Sequence, residues 1–271
     1  MIIDTHLHAW LLSSNDYPWN PLATVAPDYA WPIEDSIEVL DNHGIDAGVL
    51  IQPSMYAFDH SYVISCIRKY PDRLRLVGMV DPRSPTLETD VQKLARLGFC
   101  GLRLAPMLRP DLSWYNNAQT DRLWRAAADT DMILGLLLAP HQMEEAVKSI
   151  ERFPSATIVV DHIARPDQMS GTIPEALLTS ARYKNVYVKL SALGFMSSLP
   201  YPHPDAQQWI QTIYDEFGPD RMMWGTDTPL SQDPDRVSAA LDLLDQALPR
   251  ISSNDLDKIL GNTAAHLFGW D

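Results

Sequence analysis

The sequence predicts a distorted (β/α)8 barrel of the TIM type, with an extra C-terminal helix, that occupies all 271 residues as a single domain. Eight short runs of β-branched and aliphatic residues recur on average about 31 residues apart, the length of one strand-loop-helix unit. Segments with helical periodicity alternate with these runs, and no low-complexity linker divides the chain. Eight such units fit a closed parallel barrel.

The eight predicted strands are apolar almost throughout, as expected of parallel strands that are buried on both faces. Gly, Pro, Asp or Asn residues bound the runs. No G-x-G-x-x-G follows the first run, which argues against a doubly wound dinucleotide-binding sheet. The strands are expected to begin near Ile2, Asp46, Leu74, Cys100, Met132, Thr157, Val186 and Met222.

Apolar stripes at helical spacing lie between these strands. They occur at residues 87–97, 143–150 and 237–248. Gly98 follows the first stripe and is a typical helix stop. A further helix, from about residue 255 to residue 268, is expected outside the count of eight units.

The chain carries 35 acidic and 21 basic residues, a formal net charge of −14. Such a charge repels phosphate backbones and anionic lipid surfaces, so neither nucleic acid nor a membrane is an expected partner. Cys66 and Cys100 are too few for a disulfide framework and lack the spacing of a metal site. No signal segment or bilayer-length apolar run is recognised, so a cytoplasmic location is expected. Self-association to a homo-oligomer stays open.

Three connections are longer than helix packing requires: residues 9–35, 105–118 and 192–204. All three would emerge at the C-terminal end of the barrel strands, where enzymes of this fold bind their substrates. Large aromatic side chains are frequent in them. Trp19, in the first connection, is therefore a candidate substrate contact, although packing of the loop on itself is the alternative.

The first strand ends in Asp4-Thr5-His6-Leu7-His8. Residues two apart on a strand point the same way, so an inward-facing His6 implies an inward-facing His8. Two neutral imidazoles side by side suit a divalent cation.

Asp227 ends the eighth strand, which is adjacent to the first strand in a closed barrel. A carboxylate at the end of an apolar strand must be paired, protonated or bound to metal. A helix N-cap is the structural alternative for Asp227. His162 closes the sixth strand; if it faces inward, alternation predicts that Asp161 faces away.

Further candidate substrate contacts lie near other strand ends. Arg103 and Lys189 stand within apolar strands, where a permanent charge needs a partner, and a substrate carboxylate or an internal acid would serve equally. The remaining candidates are polar side chains that would line the mouth of the barrel: Gln52, Ser54, Tyr56, His141 and Arg165.

Taken in order, these motifs resemble the amidohydrolase superfamily, in the amidohydrolase-2 branch that contains sugar-acid lactonases and 2-pyrone-4,6-dicarboxylate lactonase. The resemblance covers essentially the whole chain. It is carried by Asp-Thr-His-Leu-His at 4–8, Ile-Gln-Pro-Ser at 51–54, Gly-Leu-Arg at 101–103, Val-Asp-His at 160–162, Val-Lys-Leu-Ser at 188–191, Trp-Gly-Thr-Asp at 224–227 and Gly-Asn-Thr-Ala at 261–264.

The resemblance implies hydrolysis of a lactone, in which Asp227 takes a proton from the attacking water while His6, His8 and His162 bind metal or polarise the carbonyl. It implies one divalent metal, with zinc favoured by a donor set of three His and one Asp. The fifth strand ends in Leu-Leu-Leu-Ala-Pro at 136–140, with no ligand for a second metal. A weakly held or dispensable metal stays open. The alternative reaction is metal-dependent decarboxylation of an aromatic or muconate-type acid.

Overall fold

Eight parallel strands form one sheet in which each strand pairs with its neighbours in chain order. The structure is a computed structural model, and it describes residues 1–21, 23, 26–106, 114–167, 170–229 and 235–270. Each strand begins within one residue of its predicted start. The strands are β1 (Ile3–Leu7), β2 (Ala47–Ile51), β3 (Leu74–Gly78), β4 (Phe99–Leu104), β5 (Ile133–Leu136), β6 (Ile158–Val160), β7 (Val186–Leu190) and β8 (Met222–Trp224).

The barrel closes where the end of β1 meets the residues that follow β8. Leu7 and Thr228 form a parallel bridge, and the N–H of Asp227 donates to the carbonyl of His6 at 2.7 Å. A Cβ on Gly225 would lie 3.0 Å from the backbone nitrogen of His6, so this close approach favours glycine. The predicted distorted TIM barrel is therefore confirmed.

Helices follow the strands and cover the outside of the barrel. The three predicted stripes correspond to the helices at Leu87–Arg96, Met143–Arg152 and Asp235–Ala247, and the first of these ends before Gly98, whose φ is +87°. The helices are α1 (Ile33–Asn42), α2 (Ser61–Lys69), α3 (Leu87–Arg96), α4 (Ala118–Asp129), α5 (Met143–Arg152), α6 (Glu175–Ser180), α7 (Leu193–Met196), α8 (Pro204–Phe217), α9 (Asp235–Ala247), α10 (Ser253–Asp257) and α11 (Thr263–Phe268).

The predicted C-terminal helix is present as α10 and α11, joined by a π-helical turn at Lys258–Asn262. Apolar residues of α11 pack with the first inward-facing residues of several strands, Ile3 among them. Arg75, near the start of β3, donates to the Phe268 carbonyl at 3.2 Å. This helix therefore covers the end of the barrel where the strands begin and leaves the opposite end to the long connections.

The connections at that opposite end are only partly described. Residues 107–113 of the predicted connection 105–118 lie outside the described residues. Within the described ranges, every helix is too short or too polar to cross a lipid bilayer.

Candidate active site

Asp227 stands among three imidazole rings at the C-terminal end of the barrel. Its carboxylate oxygens lie 3.4 Å from Nε2 of His6, 3.3 Å from Nε2 of His8 and 3.7 Å from Nε2 of His162. The Asp227 side chain is 10% exposed, and His6 is fully buried. The ends of β1 and β6 therefore converge on a carboxylate that follows β8.

The end of β1 is shaped by an irregularity in its pairing with β2. The register shifts between Asp4 and Leu7, which is the pattern of a β-bulge, and a bulge re-aims the side chains that follow it. The Asp4 carboxylate accepts the N–H of His6 at 3.0 Å and that of Thr226 at 2.9 Å. Burial raises the pKa of Asp4 to about 6, against the opposing effect of these hydrogen bonds. Asp4 thus ties β1 to the residue before Asp227.

The end of β6 has a different geometry. β6 stops at Val160, and residues 162–165 all have positive φ, between 46° and 58°. A left-handed conformation costs an L-residue about 1–2 kcal/mol. The prediction that Asp161 faces away from His162 is wrong, because strand alternation does not extend into this turn. Asp161 and His162 are 1% and 3% exposed and both reach the interior.

Asp161 forms the centre of a buried ionic cluster, here called the Asp161 cluster, with Arg103, Lys189 and His6. Nε of Arg103 donates to Asp161 at 3.0 Å, Nζ of Lys189 lies 3.2 Å from it, and Nδ1 of His6 lies 3.4 Å from it. Arg103 and Lys189, the two cations within apolar strands, therefore have an internal acid as their partner. These two buried cations were the signal in the sequence that such an acid exists.

Burial and charge set the protonation of both buried carboxyls. Burial alone would raise the pKa of Asp161, but the cations of Lys189 and Arg103 hold it well below 3.8. Burial opposes the ionisation of Asp227 in the same way, and the neighbouring imidazoles lower its pKa nonetheless. Burial also lowers the pKa of His6 well below 6.5. Both acids are therefore carboxylates at neutral pH, and His6 is a neutral ring.

The second nitrogen of each outer imidazole has a defined partner. Nδ1 of His8 lies 2.9 Å from the Ile51 carbonyl, which only accepts, so this nitrogen carries hydrogen. Nδ1 of His162 lies 2.9 Å from the hydroxyl oxygen of Ser191. Burial lowers the pKa of His162. These contacts direct both Nε2 atoms to Asp227, in the arrangement found around metal-bound histidines.

The donor atoms around Asp227 fit a single divalent ion. One ligand atom each from His6, His162 and Asp227 lies within 4.8 Å of the others, and all three residues are buried. Ligands of a tetrahedral zinc ion lie about 3.3–3.5 Å apart. His8 is outside this group of three, but its Nε2 lies 3.3 Å from a carboxylate oxygen of Asp227. Because Nε2 and this oxygen are both acceptors, a proton or a metal ion must lie between them. Arg103 Nη2, 3.4 Å from His6 Nε2, adds a competing cation.

A cavity of about 560 Å³ opens above this group. His162, Arg165 and Asp227 line it, together with Phe195 and Met196 of α7. The Arg165 guanidinium has no hydrogen bond or ion pair with another described residue, whereas Arg103 is bound to Asp161 inside the barrel. The strand ends were predicted to meet, and Phe195 is one of the large aromatic residues of the predicted connection 192–204, whereas Met196 carries no signal in the sequence beyond its place there.

Other candidate substrate contacts hold the connections together. The Gln52 amide donates to the carbonyls of Ala57 and Asp59, at 3.2 and 2.6 Å. The hydroxyl of Tyr56 and Nε1 of Trp19 both donate to the Leu11 carbonyl. The described residues that line the cavity do not include Gln52, Ser54, Tyr56, Trp19 and His141.

Comparison with known proteins identifies the family of this chain. The model of the amidohydrolase family matches residues 3–270. The L-fucono-1,5-lactonase of Burkholderia ambifaria is 29% identical over 85% of this chain and 81% of its own. The 4-sulfomuconolactone hydrolase of Rhizobium radiobacter is 27% identical over 98% and 89%. A zinc-bound amidohydrolase structure from Burkholderia multivorans shares the fold at 22% identity, with 99% of both chains covered and a TM-score of 0.81. The chain belongs to the amidohydrolase family.

Proposed function

We propose that this protein hydrolyses a lactone, with Asp227 as the general base. The observation that carries the proposal is the buried Asp227 carboxylate, within 3.7 Å of three imidazole nitrogens at the floor of an open cavity. Relatives that span most of this chain are a lactonase and a lactone hydrolase, which supports the reaction class.

Asp227 supplies the proton acceptor. Its lowered pKa keeps the carboxylate ionised at neutral pH, and it lines the cavity in which the lactone carbonyl would lie. A positioned carboxylate within hydrogen-bond reach of a water takes its proton as the oxygen attacks the carbonyl carbon. The ring C–O bond then breaks, and the proton held by Asp227 passes to the oxygen that leaves.

The imidazoles and Asp227 would hold one divalent metal ion, which we propose to be zinc. When bound, such an ion polarises the carbonyl and lowers the pKa of a bound water. Neutral His6 and His162 leave lone pairs for this purpose, and His8 does so through its Nδ1 bond to Ile51. Because Arg103 lies beside His6 Nε2, we expect the ion to be held weakly.

Arg165 is the proposed contact for an anionic group of the substrate. It lines the cavity, and its guanidinium is not engaged by another described side chain. Arg103 and Lys189 instead neutralise Asp161 and orient His6. We therefore assign substrate binding to Arg165 and assign a positioning role to Arg103 and Lys189.

The reaction is tested by a pH-indicator assay of purified protein against sugar-acid lactones, muconolactones and pyrone carboxylates. We expect hydrolysis of one chemical group and a loss of at least about 10³-fold in kcat for Asp227→Asn, since general base catalysis contributes about 10²–10⁴-fold. Asp72→Asn, the same change at an exposed aspartate, is the matched control. Release of carbon dioxide without lactone opening would point to the decarboxylase alternative, and near-wild-type turnover by Asp227→Asn would remove Asp227 from the mechanism.

The metal site is tested separately by calorimetric titration of chelator-treated protein with zinc. We expect one ion per chain, and an affinity about 10–100-fold lower in Ser191→Ala, because Ser191 orients the His162 ring. The titration does not depend on activity. A flat titration of the wild-type protein would contradict the zinc assignment.

A further inference from the structure

The cavity above Asp227 has two chemically distinct sides. Its charged side consists of His162, Asp227 and Arg165, with Asp167 beside them. The rest of its described lining is apolar, and these residues come from three connections: Ala139, Pro140, Pro166, Ala192, Phe195 and Met196. The cavity therefore combines an apolar wall with a small set of polar and charged groups.

This lining is poor in partners for hydroxyl groups. Among its described residues there is no Ser, Thr, Asn, Gln or Tyr side chain. Asp167 accepts the N–H and the hydroxyl of Ser170 on one carboxylate oxygen, at 2.8 and 2.9 Å. A sugar-acid lactone carries several hydroxyl groups. Each hydroxyl group that is transferred from water into the cavity without gaining a hydrogen-bond partner weakens binding. A polyhydroxylated ring therefore matches the described part of the lining poorly.

Phe195 forms the most exposed part of the apolar wall. Its side chain is 62% exposed, although it lies on a turn that is firmly held. α7 begins after Ala192, whose φ is 59°, and directly after α7 the hydroxyl of Ser197 and the N–H of Ser198 both donate to Asp205. A large aromatic ring that faces both solvent and the cavity is in a position to cover a flat ligand.

Arg165 lies on the charged side of the same cavity. It is the last of the four residues with positive φ after β6, and its guanidinium makes no hydrogen bond or ion pair with another described residue. A guanidinium binds a carboxylate or a sulfonate with two parallel hydrogen bonds. The charged side is thus suited to one anionic substituent, while Asp227 remains next to the reacting carbonyl.

We propose that the substrate is a flat, unsaturated lactone with an anionic substituent, whose ring packs against Phe195 and Met196 and whose anion binds Arg165. This assignment rests on the proposed lactone hydrolysis. Water adds to the carbonyl carbon, the ring C–O bond breaks, and one proton of the water ends on the released ring oxygen. The other proton leaves as the new carboxyl group ionises. Where the released oxygen is an enol, as in a pyrone, the enol becomes a ketone, and no oxidant or reductant takes part in either case.

The substrate class is tested by comparing kcat/KM for two sets of lactones under identical conditions. One set holds a muconolactone and a pyrone carboxylate, and the other holds five- and six-membered sugar-acid lactones. We expect kcat/KM to be at least about 100-fold higher in the first set. Faster hydrolysis of sugar-acid lactones would overturn the substrate class and leave lactone hydrolysis standing, whereas no hydrolysis in either set would overturn the proposed function itself.

The roles of the two sides are tested with single variants on the best substrate. Phe195→Ser is expected to raise KM about 10-fold with little change in kcat, because the ring binds the lactone and does not take part in proton transfer. Leu199→Ser is the control, since Leu199 is an exposed apolar residue of the same connection and is not among the residues that line the cavity. Arg165→Gln should raise KM more than Arg165→Lys does. An unchanged KM in Phe195→Ser, or equal values for the two Arg165 variants, would overturn the corresponding contact.

Discussion

The ends of β1 and β6 deliver histidines to the same carboxylate by opposite structural means. At β1 the chain stays in the sheet, and His6 is held by backbone pairing across the closure and by the Asp4 carboxylate. At β6 the chain leaves the sheet at once and passes through a left-handed turn. Hydrogen bonds of the sheet hold the end of β1, even at its bulge, without left-handed backbone, whereas the turn after β6 needs other contacts to hold it.

The contacts that offset the turn are those of the Asp161 cluster. Asp161 opens the turn and binds Arg103 and Lys189, and His162 follows it directly. One region of the site is thus held by the sheet and the other by buried charges. Substitutions can therefore weaken either region and leave the other intact.

The largest effect is expected for Asp161→Asn. This change leaves two buried cations without their acid, and breaking a buried ion pair costs about 3–5 kcal/mol of the free energy of unfolding. The measurement is chemical denaturation of purified protein. The control is Asp121→Asn, since Asp121 pairs with Arg152 at a partly exposed site where about 0–1 kcal/mol is expected. Equal losses in the two variants would contradict a turn held by buried charge.

The pH dependence of the stability lost in Asp161→Asn tests which cations pair with Asp161. The pKa of Asp161 is lowered on folding, so its contribution is complete above the unfolded value near 3.8 and disappears as pH falls through the folded value. Burial lowers the pKa of His6 well below 6.5, so His6 adds no charge near pH 6. We expect a constant difference between wild type and Asp161→Asn from about pH 5 to about pH 8. A step near pH 6 would show that His6 is the charged partner.

The contrast also explains what the sequence alone could predict. The strands and the convergence of His6, His8 and Asp227 follow from periodicity and barrel closure, which depend on residues within or next to the sheet. Asp161 could not be placed in this way, because positive φ at four residues without glycine has no signature in the sequence. Arg103 and Lys189 indicated a buried acid, but only the fold identifies it.

The candidate substrate contacts in long connections were harder to predict for a related reason. Tyr56 and Trp19 have the residue types of binding sites, yet both donate to the Leu11 carbonyl and hold the first connection. A ring with a polar group serves a ligand or a loop backbone equally well. Phe195 shows the reverse case, because an apolar residue without any motif lines the cavity.

The β1 side is tested by Asp4→Ala. This change removes the acceptor for the N–H groups of His6 and Thr226 and for the Thr226 hydroxyl, so we expect a loss of about 2–3 kcal/mol in unfolding free energy. Turnover should fall as well, because Thr226 precedes Asp227. Asp4→Asn keeps an acceptor oxygen for the two N–H groups and should recover most of both losses. If Asn and Ala behave alike, the hydrogen bonds of Asp4 do not hold this end of β1.

The smallest and most direct test compares one change in the two kinds of backbone. Ala47 in β2 and Ala164 in the turn are 2% and 0% exposed, but Ala164 has a φ of 58°. Ala47→Gly should cost about 1.5 kcal/mol, from a lost buried methyl group and the greater freedom of the unfolded chain.

Ala164→Gly loses the same methyl group but also removes the steric penalty of a left-handed alanine, about 1–2 kcal/mol. We therefore expect its unfolding free energy to stay close to that of the wild-type protein in the same denaturation assay. The difference between the two variants measures the strain at one position of the turn, which the Asp161 cluster has to offset. Equal losses for Ala164→Gly and Ala47→Gly would mean that the turn after β6 is not strained, and the contrast with β1 would then rest on charge alone.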